Sequence, residues 1–240
     1  MANNYVSFIS DAAFENCVAA ILTRATAGRS KAINEMGRNV LDPFTALFAM
    51  VSFEIDSDEW IKSEQYRQSE KSLTNAIGDF HQSMLGQVEN WQSLPIGGQI
   101  DLVSAQNKIV AEIKNRYSTV TGGSLFSLYS GLNNIIEDKT SLYKGYTAYY
   151  VTLLAKSPIR FNKPFTPSDK SKGKQVAPNE NVRIIDGSSF YELVTGRPNA
   201  IQEVFQALPR VLEKVSKKKF NQEYEFALNL FNKAFSVTQP

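Results

Sequence analysis

Residues 99–114 read QIDLVSAQNKIVAEIK, and this stretch decides the fold prediction. β-branched residues on both sides of Gln106-Asn107 are typical of two strands joined by a tight turn. If Gln106 and Asn107 form a two-residue loop, Val103 faces Val110, and Asp101 faces Glu112 two positions further out. The sequence therefore predicts a β-hairpin that ends in two opposed carboxylates.

Three charged side chains are expected on one face of this hairpin. Lys114 lies two positions beyond Glu112, and side chains alternate between faces with a period of two. Like charges directly opposite each other destabilise a strand pair, and a divalent cation between Asp101 and Glu112 would relieve that repulsion. The opposite face is apolar and is predicted to pack on a helical core through Ile100, Leu102, Ile109, Ala111 and Ile113.

The hundred residues before the hairpin have helical periodicity. One amphipathic stretch covers residues 14–22, a second covers residues 41–51, and a third runs from Asp58 to Trp91. Pro95, Gly97 and Gly98 then interrupt the pattern. Apolar stripes at this spacing are typical of core packing. We therefore expect a buried stripe on the second stretch, formed by Leu41, Phe44, Leu47, Phe48 and Val51.

After the hairpin, helical and strand patterns alternate. A helix is predicted from an N-cap at Ser124 to about Asp138, and residues 146–155 have the aromatic and β-branched content of a buried strand. Residues 156–180 contain four prolines and no helical period, which predicts a long loop or an irregular hairpin. A short strand begins at Asn181, a turn follows at residues 186–188, and two or three helices occupy residues 188–235.

Composition excludes several classes of protein. With 240 residues, 42% hydrophobic residues and a mean hydropathy of −0.27, the chain can bury a core without disulfides, and disordered, collagen-like and membrane-bundle proteins are excluded. A single cysteine, Cys17, and a single histidine, His81, cannot form a four-ligand Cys/His zinc site. A Cys17/His81 nucleophile pair is formally possible, but Cys17 lies among apolar helical residues and is expected to be a packing residue.

Charge and targeting patterns suggest a compartment and a partner. The N-terminus has no basic segment before an apolar run, so neither a signal peptide nor a membrane span is expected, and a single cysteine suits a reducing cytoplasm. The net charge is +2, but residues 1–100 carry 7 Lys and Arg against 12 Asp and Glu, whereas residues 101–240 carry 19 against 12. This asymmetry predicts that the C-terminal part faces a polyanion.

The three charged residues of the hairpin suit a particular chemistry. Mg²⁺ prefers oxygen ligands and is commonly held by one or two carboxylates together with substrate phosphate. Such a cation lowers the pKa of a bound water and stabilises charge on a phosphate under attack. Lys114 could orient or help to deprotonate the attacking water and could neutralise the developing charge. The pattern therefore predicts metal-assisted phosphodiester hydrolysis.

The pattern QID-x10-EIK, after a long helix and before a helix and a strand, resembles the PD-(D/E)XK nuclease superfamily. Residues 75–87 (NAIGDFHQSMLGQ), 112–123 (EIKNRYSTVTGG) and 185–196 (IDGSSFYELVTG) resemble type II restriction endonucleases, notably a subgroup that cuts GGNCC-type sites. The resemblance covers about residues 60–215, with Ile100 where the superfamily motif has proline. It implies an α/β fold with an α-β-β-β-α-β core and a mixed sheet flanked by helices, with helical N-terminal and C-terminal parts.

The resemblance also assigns roles to residues. It makes Asp101 and Glu112 ligands of Mg²⁺, for which Mn²⁺ is expected to substitute. It adds the Ile113 carbonyl to the metal shell and makes Lys114 the catalytic lysine. Superfamily members often supply another polar group from the long helix, and the candidates here are Glu70, Asp79, His81 and Gln82.

The residues that follow Lys114 and the basic residues of the predicted loop at 156–180 are candidates for DNA contact. The polar run that follows Lys114 could meet the cleaved strand, and residues 156–174 carry six basic residues against one acid, which suits binding to duplex DNA. The predicted DNA-binding residues are Asn115, Arg116, Thr119, Lys163, Lys170, Lys172 and Lys174.

The sequence thus predicts one domain over residues 1–240. Its parts are a helical N-terminal part (1–57), a catalytic core (58–155), a basic loop or hairpin (156–180) and C-terminal strand and helices (181–240). The predicted function is cleavage of double-stranded DNA by a homodimer, because a symmetric site has two strands and each chain one active site. A cognate methyltransferase is expected in the same bacterial system, but no stable complex between the two proteins is expected. The protein is not expected to bind a membrane. Two other functions fit the pattern, namely a PD-(D/E)XK repair or structure-specific nuclease and a non-catalytic DNA-binding module.

Overall fold

The computed structural model describes residues 3–38, 40–95, 97–219 and 223–235. Its helices are α1 (Asp11–Asn34), α2 (Pro43–Phe53), α3 (Ser57–Leu85), α4 (Gly123–Glu137), α5 (Gly187–Thr195), α6 (Ala200–Ser216) and α7 (Glu223–Phe235), with a 3-10 turn at Met36–Arg38. Its strands are β1 (Gln92–Ser93), β2 (Leu102–Ser104), β3 (Ile109–Arg116), β4 (Thr147–Leu154), β5 (Asn162–Pro164), β6 (Ser168–Asp169), β7 (Lys174–Gln175) and β8 (Val182–Asp186).

A mixed six-stranded sheet has the order β1-β2-β3-β4-β8-β5. Strands β3, β4 and β8 are parallel, and β1, β2 and β5 join antiparallel. In the hairpin, Val103 pairs with Val110, as the sequence predicts. Because β3 lies inside the sheet, the carboxylate-bearing strand has a neighbour on each side. This confirms the predicted mixed α/β fold.

Helices cover both faces of the sheet. On one face, Leu132 and Ile136 of α4 join Val110 and Tyr150 in the same buried cluster. On the other face, the ring of Phe190 in α5 lies 6.3 Å from that of Tyr149. Ile100, predicted on the face opposite to Val110, is instead in the cluster with Val110, because the chain bends at residue 101 before β2 begins.

Two predicted helix ends are wrong. The long helix stops at Leu85 and not near Trp91, and a Cβ on Gly86 would lie 2.6 Å from the backbone nitrogen of Ser93. The chain therefore turns at a residue where only glycine fits. Helix α4 is capped by Gly122 and not by Ser124, since Gly122 has a φ of 56° that L-residues rarely adopt.

Residues 186–188 connect β8 directly to α5 and do not form a separate turn. The Oδ1 of Asp186 accepts a hydrogen bond from the Ser189 N–H at 3.0 Å and so caps the helix. A Cβ on Gly187 would lie 2.5 Å from the Leu153 carbonyl oxygen, so α5 approaches β4 closely because this position is glycine.

The predicted loop at residues 156–180 contains short strands. Strand β5 joins the main sheet beside β8, and β6 and β7 form a separate two-stranded hairpin. At its tip, Asp169 is buried and its Oδ1 accepts bonds from the backbone N–H and the hydroxyl of Ser171, at 3.0 Å and 2.6 Å. The irregular hairpin expected from the sequence is confirmed for β6–β7.

The chain divides into two compact units, one formed by residues 1–15 and 81–240 and the other by residues 16–80. We call them the sheet unit and the helical unit. In the part of the chain that the structure describes, no helix is long and apolar enough to cross a membrane. The organisation as one domain with the four parts given above stays a prediction.

Within the helical unit, the predicted burial of the stripe on α2 is wrong. Helix α2 has no buried residue, and four side chains of that stripe are largely exposed, namely Phe44 at 73%, Leu47 at 59%, Phe48 at 69% and Val51 at 72%. The half-buried residues of α2 are Ala46, Ala49 and Met50 on its other side. The helix therefore turns its large apolar side chains outward.

Candidate active site

The bend at Asp101 brings this side chain back onto β3. The Asp101 N–H donates to the Ala111 carbonyl at 2.8 Å, and its Oδ2 accepts a bond from the Ile113 N–H at 2.7 Å. The carboxylate is therefore anchored on the central strand between Glu112 and Lys114.

Gln82, one of the candidates on the long helix, holds the start of the hairpin. Its side chain is buried, and its Nε2 donates to the carbonyls of Leu94 (2.9 Å) and Asp101 (3.1 Å). These bonds join α3 to the residue that follows β1 and to the bend. The contacts suit a positioning residue that fixes the backbone of Asp101.

Glu112 and Lys114 meet on one face of β3, as predicted. The Lys114 ammonium donates to Oε1 of Glu112, while Oε2 of Glu112 is buried and has no hydrogen-bond partner among the described residues. Burial raises the pKa of Glu112 to about 7, and the neighbouring Asp101 carboxylate contributes in the same direction. The two carboxylates therefore lie close enough to repel each other.

Two polar residues of β4 complete this face, and sequence reasoning missed them. Tyr150 pairs with Glu112 and Thr152 pairs with Lys114 in the parallel ladder. Both hydroxyls are buried and, like Glu112 Oε2, have no partner in the described part of the chain. Burial also raises the pKa of Tyr150 to about 12, so its hydroxyl is neutral at physiological pH. Little in the sequence indicates these two residues. The alternation of side chains shows which residues of β4 share a face, but it does not show that β4 lies beside β3.

The donor set fits a hard divalent cation. A buried carboxylate oxygen without a partner, beside a second carboxylate and with only one ammonium nearby, leaves negative charge that a cation would neutralise. Over the described ranges there is no cluster of three or more His, Cys, Asp or Glu side chains that could hold a metal. A metal here would therefore use the two carboxylates together with carbonyl, water or phosphate oxygens.

Two of the other candidates on the long helix contact residues outside the charged face of β3, and the third is exposed. The Nδ1 of His81 lies 2.6 Å from the Tyr191 hydroxyl, and burial lowers the pKa of His81 to about 4, so the ring is neutral at pH 7. Asp79 forms an ion pair with Arg24 within the helical unit, and Glu70 is exposed in that unit. Their assignment to the catalytic site stays a prediction.

Cys17 has the properties expected of a packing residue. Burial raises the pKa of its thiol to about 11, so almost no thiolate forms at neutral pH. A nucleophilic role for this residue is therefore disfavoured.

The predicted DNA-binding residues occupy two places. Asn115 and Arg116 end β3 directly after Lys114, and the Thr119 N–H donates to the Arg116 carbonyl at 3.0 Å in the following turn. The exposure of Arg116 and Thr119 leaves them accessible to a ligand.

The second place is the stretch from β5 to β7. Lys163, on β5, lies 5.8 Å from the centroid of the Phe161 ring, and Lys170, Lys172 and Lys174 are exposed on the β6–β7 hairpin. Lys172 also approaches Asp169 at 3.6 Å. Arg160, which precedes β5, forms an ion pair with Glu192 of α5 and is therefore already paired within the chain.

Comparisons with known proteins identify the family of this chain. The family model described as Eco47II restriction endonuclease matches residues 6–217. The type II restriction enzyme Eco47II of Escherichia coli is 45% identical over 218 residues, 91% of either chain. The type II restriction enzyme Sau96I of Staphylococcus aureus is 28% identical over 219 residues, 89% of this chain and 82% of the relative.

A mixed sheet with two carboxylates and a lysine on its central hairpin is thus found in a chain that matches type II restriction enzymes over most of its length. The fold and these matches together place the chain in the class of type II restriction endonucleases. Within that class, the chain belongs to the Eco47II restriction endonuclease family.

Proposed function

We propose that this restriction endonuclease is a Mg²⁺-dependent enzyme of the PD-(D/E)XK superfamily that hydrolyses phosphodiester bonds in both strands of a short double-stranded DNA site. The element order from α3 to β4 supports the proposal, because helix, three strands, helix and strand follow one another as in the α-β-β-β-α-β core. The family membership supports endonuclease activity, and the charged face of β3 supports the chemistry.

The observation that carries the proposal is the convergence of Asp101, Glu112 and Lys114. Glu112 has one carboxylate oxygen bound by Lys114 and the other buried without a partner, and Asp101 is held beside it by the Ile113 N–H. Carboxylates usually avoid such a position, because burial and a like charge both disfavour their ionised form. Strongly perturbed carboxylates of this kind are characteristic of functional sites.

In the proposed mechanism, Asp101, Glu112 and the Ile113 carbonyl would hold Mg²⁺. When bound, the cation lowers the pKa of a water and stabilises charge on the phosphate. Lys114, on the same face of β3, orients the attacking water and, as an ammonium, offsets negative charge on the phosphate oxygens. Gln82 keeps the Asp101 backbone in place, and Tyr150 and Thr152 line the buried side of the site.

The remaining parts of the proposal concern the substrate and the setting. We propose a GGNCC-type recognition site, with phosphate contacts from Asn115, Arg116 and Thr119 and from the basic residues Lys163, Lys170, Lys172 and Lys174. A homodimer would cut the two strands of a symmetric site. A methyltransferase of matching specificity would act in the same bacterial cytoplasm without a stable complex with this protein.

Plasmid digestion tests the proposal. With Mg²⁺ or Mn²⁺ the protein should cut plasmid DNA into discrete fragments, and the same protein in EDTA should leave the plasmid intact. Sequencing of the fragment ends then gives both the recognition site and the cleavage position. Specific DNA binding without a nick in either metal would support the DNA-binding module instead, and cleavage only at branched or damaged DNA would support the repair nuclease.

The β6–β7 hairpin gives a quantitative prediction for DNA binding. Replacing Lys170, Lys172 and Lys174 together by alanine should reduce the slope of log affinity against log salt by up to about three, because each phosphate contact releases a counterion. Lys172 is expected to contribute least, since Asp169 already approaches it. Fluorescence anisotropy with a labelled duplex at several salt concentrations measures the slope.

A matched control comes from the acidic helical unit. Replacing Lys31, Lys62 and Lys71 by alanine removes the same charge and should leave the salt slope unchanged. An equal reduction of the salt slope in the two triple variants would mean that DNA binding depends only on the net charge of the protein. The β6–β7 hairpin would then have no specific role in DNA binding.

A further inference from the structure

Helix α2 presents a continuous apolar stripe to solvent. Phe44, Leu47, Phe48 and Val51 recur at spacings of three and four residues, which places them on one side of the helix. All four are more than half exposed, although large apolar side chains in a soluble protein are usually buried. The small residues Ala46 and Ala49 occupy the opposite side. This orientation is the reverse of the one that packing against its own chain would favour.

The size of the stripe is suited to a protein partner. A fully exposed apolar side chain of this kind presents about 200 Å², so the four side chains together expose roughly 500 Å². A stable interface of standard size buries about 800 Å² on each partner. The stripe alone could therefore supply the apolar centre of one interface, with Val40 (102% exposed) and Phe53 (71%) beside it.

The charges around α2 identify the kind of partner. Residues 43–53 contain no charged side chain, and the nearest basic residues along the chain are Arg38 and Lys62. Exposed acidic residues flank the helix on both sides, namely Asp42, Glu54, Asp56, Asp58 and Glu59. An acidic rim of this kind repels both DNA and anionic membranes. The stripe itself carries no charge, so the stripe of a second copy can pack against it without burying a charged group.

We infer that the exposed stripe of α2 is the contact through which two copies of this chain dimerise. A two-fold contact brings the same patch of both copies together, so a self-complementary stripe closes without further surfaces. The inference rests on the proposed function, since cleavage of both strands of a symmetric site calls for two chains. It adds where the two chains meet and what holds them together.

The acidic rim gives the dimer an unusual salt dependence. Two rims of the same sign repel each other when the stripes are joined, and added salt screens that repulsion. The dissociation constant of the dimer should therefore fall or stay constant as KCl is raised. A dissociation constant that rises with salt would mean that ion pairs hold the dimer, and the inference would be wrong.

Sedimentation equilibrium of the full chain tests the inference. The wild-type protein should be a dimer at micromolar concentration, and the double variant Phe44→Gln/Phe48→Gln should weaken the dimer by about 100-fold or more, because large apolar side chains at an interface centre dominate its affinity. Both positions are exposed, so the variant should keep the wild-type circular dichroism spectrum and unfolding midpoint.

The matched control is Phe226→Gln/Leu230→Gln on α7, where two side chains with the same spacing are 69% and 51% exposed. This variant should dimerise like the wild type. A monomeric wild type, a dimer that survives the α2 variant, or a dimer lost only in the α7 variant would each overturn the inference. Binding of a monomeric wild type to phosphatidylglycerol vesicles, lost in the α2 variant, would overturn it in favour of a membrane surface.

The outcomes are separable from those of the proposed function. If the protein shows Mg²⁺-dependent plasmid cleavage but no α2-dependent dimer, only the dimer contact is wrong. If the α2-dependent dimer forms but no divalent metal supports cleavage, the contact stands and the proposed nuclease fails.

Discussion

Glu112→Gln should abolish DNA cleavage while making the metal-free protein more stable. Cleavage should fall by roughly 10³-fold or more, because an amide cannot replace the carboxylate charge that is proposed to hold Mg²⁺. The folded protein should gain about 1–3 kcal/mol, because Glu112 buries one carboxylate oxygen without a partner beside the Asp101 carboxylate. A substitution that gains stability and loses activity marks a residue kept for function.

The stability gain should depend on pH in a defined direction. The pKa of Glu112 is raised to about 7 in the folded protein, from an ordinary value of 4.5 in the unfolded chain. The unfolded state therefore loses its proton first, and the wild-type stability falls as the pH rises from about 4.5 to about 7. The advantage of Glu112→Gln should be full above pH 7 and should disappear as the pH approaches 4.5.

Urea unfolding in EDTA at several pH values measures this difference, and plasmid digestion with Mg²⁺ measures the activity. Glu89→Gln is the control, since Glu89 is exposed and lies outside the site, and it should change neither quantity appreciably. A Glu112→Gln protein that is less stable than the wild type at pH 8 would contradict the destabilising character of this carboxylate. Retained cleavage would contradict its role as a metal ligand.

The part of the site that could be predicted from the sequence depends on local geometry. A tight turn and an alternation of period two determine which residues of a hairpin face each other, and this suffices to bring Asp101, Glu112 and Lys114 together. The bond from Ile113 N–H to Asp101 was not predictable, because it depends on the bend at residue 101. Tyr150 and Thr152 were missed because the register of a parallel pair depends on the crossover through α4, and sequence spacing does not determine it.

The fold errors have related causes. The stripe on α2 shows that the helix is amphipathic, but periodicity does not show whether its own chain or another molecule covers the apolar side. Ser124 is a good capping residue by type, but Gly122 is the cap because its positive φ, which glycine adopts easily, allows the chain to enter α4. Both errors come from tertiary context, which a local pattern does not contain.

Lys114→Met should lower cleavage by about 10³-fold while changing DNA affinity by no more than about tenfold. Methionine keeps much of the aliphatic stem and removes the ammonium that could orient the attacking water. Single-turnover cleavage, with binding measured separately by anisotropy without metal, distinguishes the two effects. Lys139→Met, at an exposed position after α4, is the control and should behave like the wild type. Cleavage at the wild-type rate by Lys114→Met would remove the lysine from the mechanism.

The same substitution should also destabilise the metal-free protein at pH 8. The expected loss is about 1–2 kcal/mol, because the Lys114 side chain is partly exposed and its ion pair with Glu112 is partly screened by solvent. Lys114 donates to Glu112, so its loss leaves two carboxylates facing each other without a cation. In a Glu112→Gln background the carboxylate that accepts the Lys114 hydrogen bond is gone and only the Asp101 carboxylate remains, so Lys114→Met should then cost clearly less. A double-mutant cycle from urea unfolding measures this coupling. Equal costs in the two backgrounds would mean that Lys114 stabilises the fold through its packing and not through Glu112. A larger cost in the wild-type background would mean that the Lys114 ammonium offsets the buried charge of the Glu112 carboxylate.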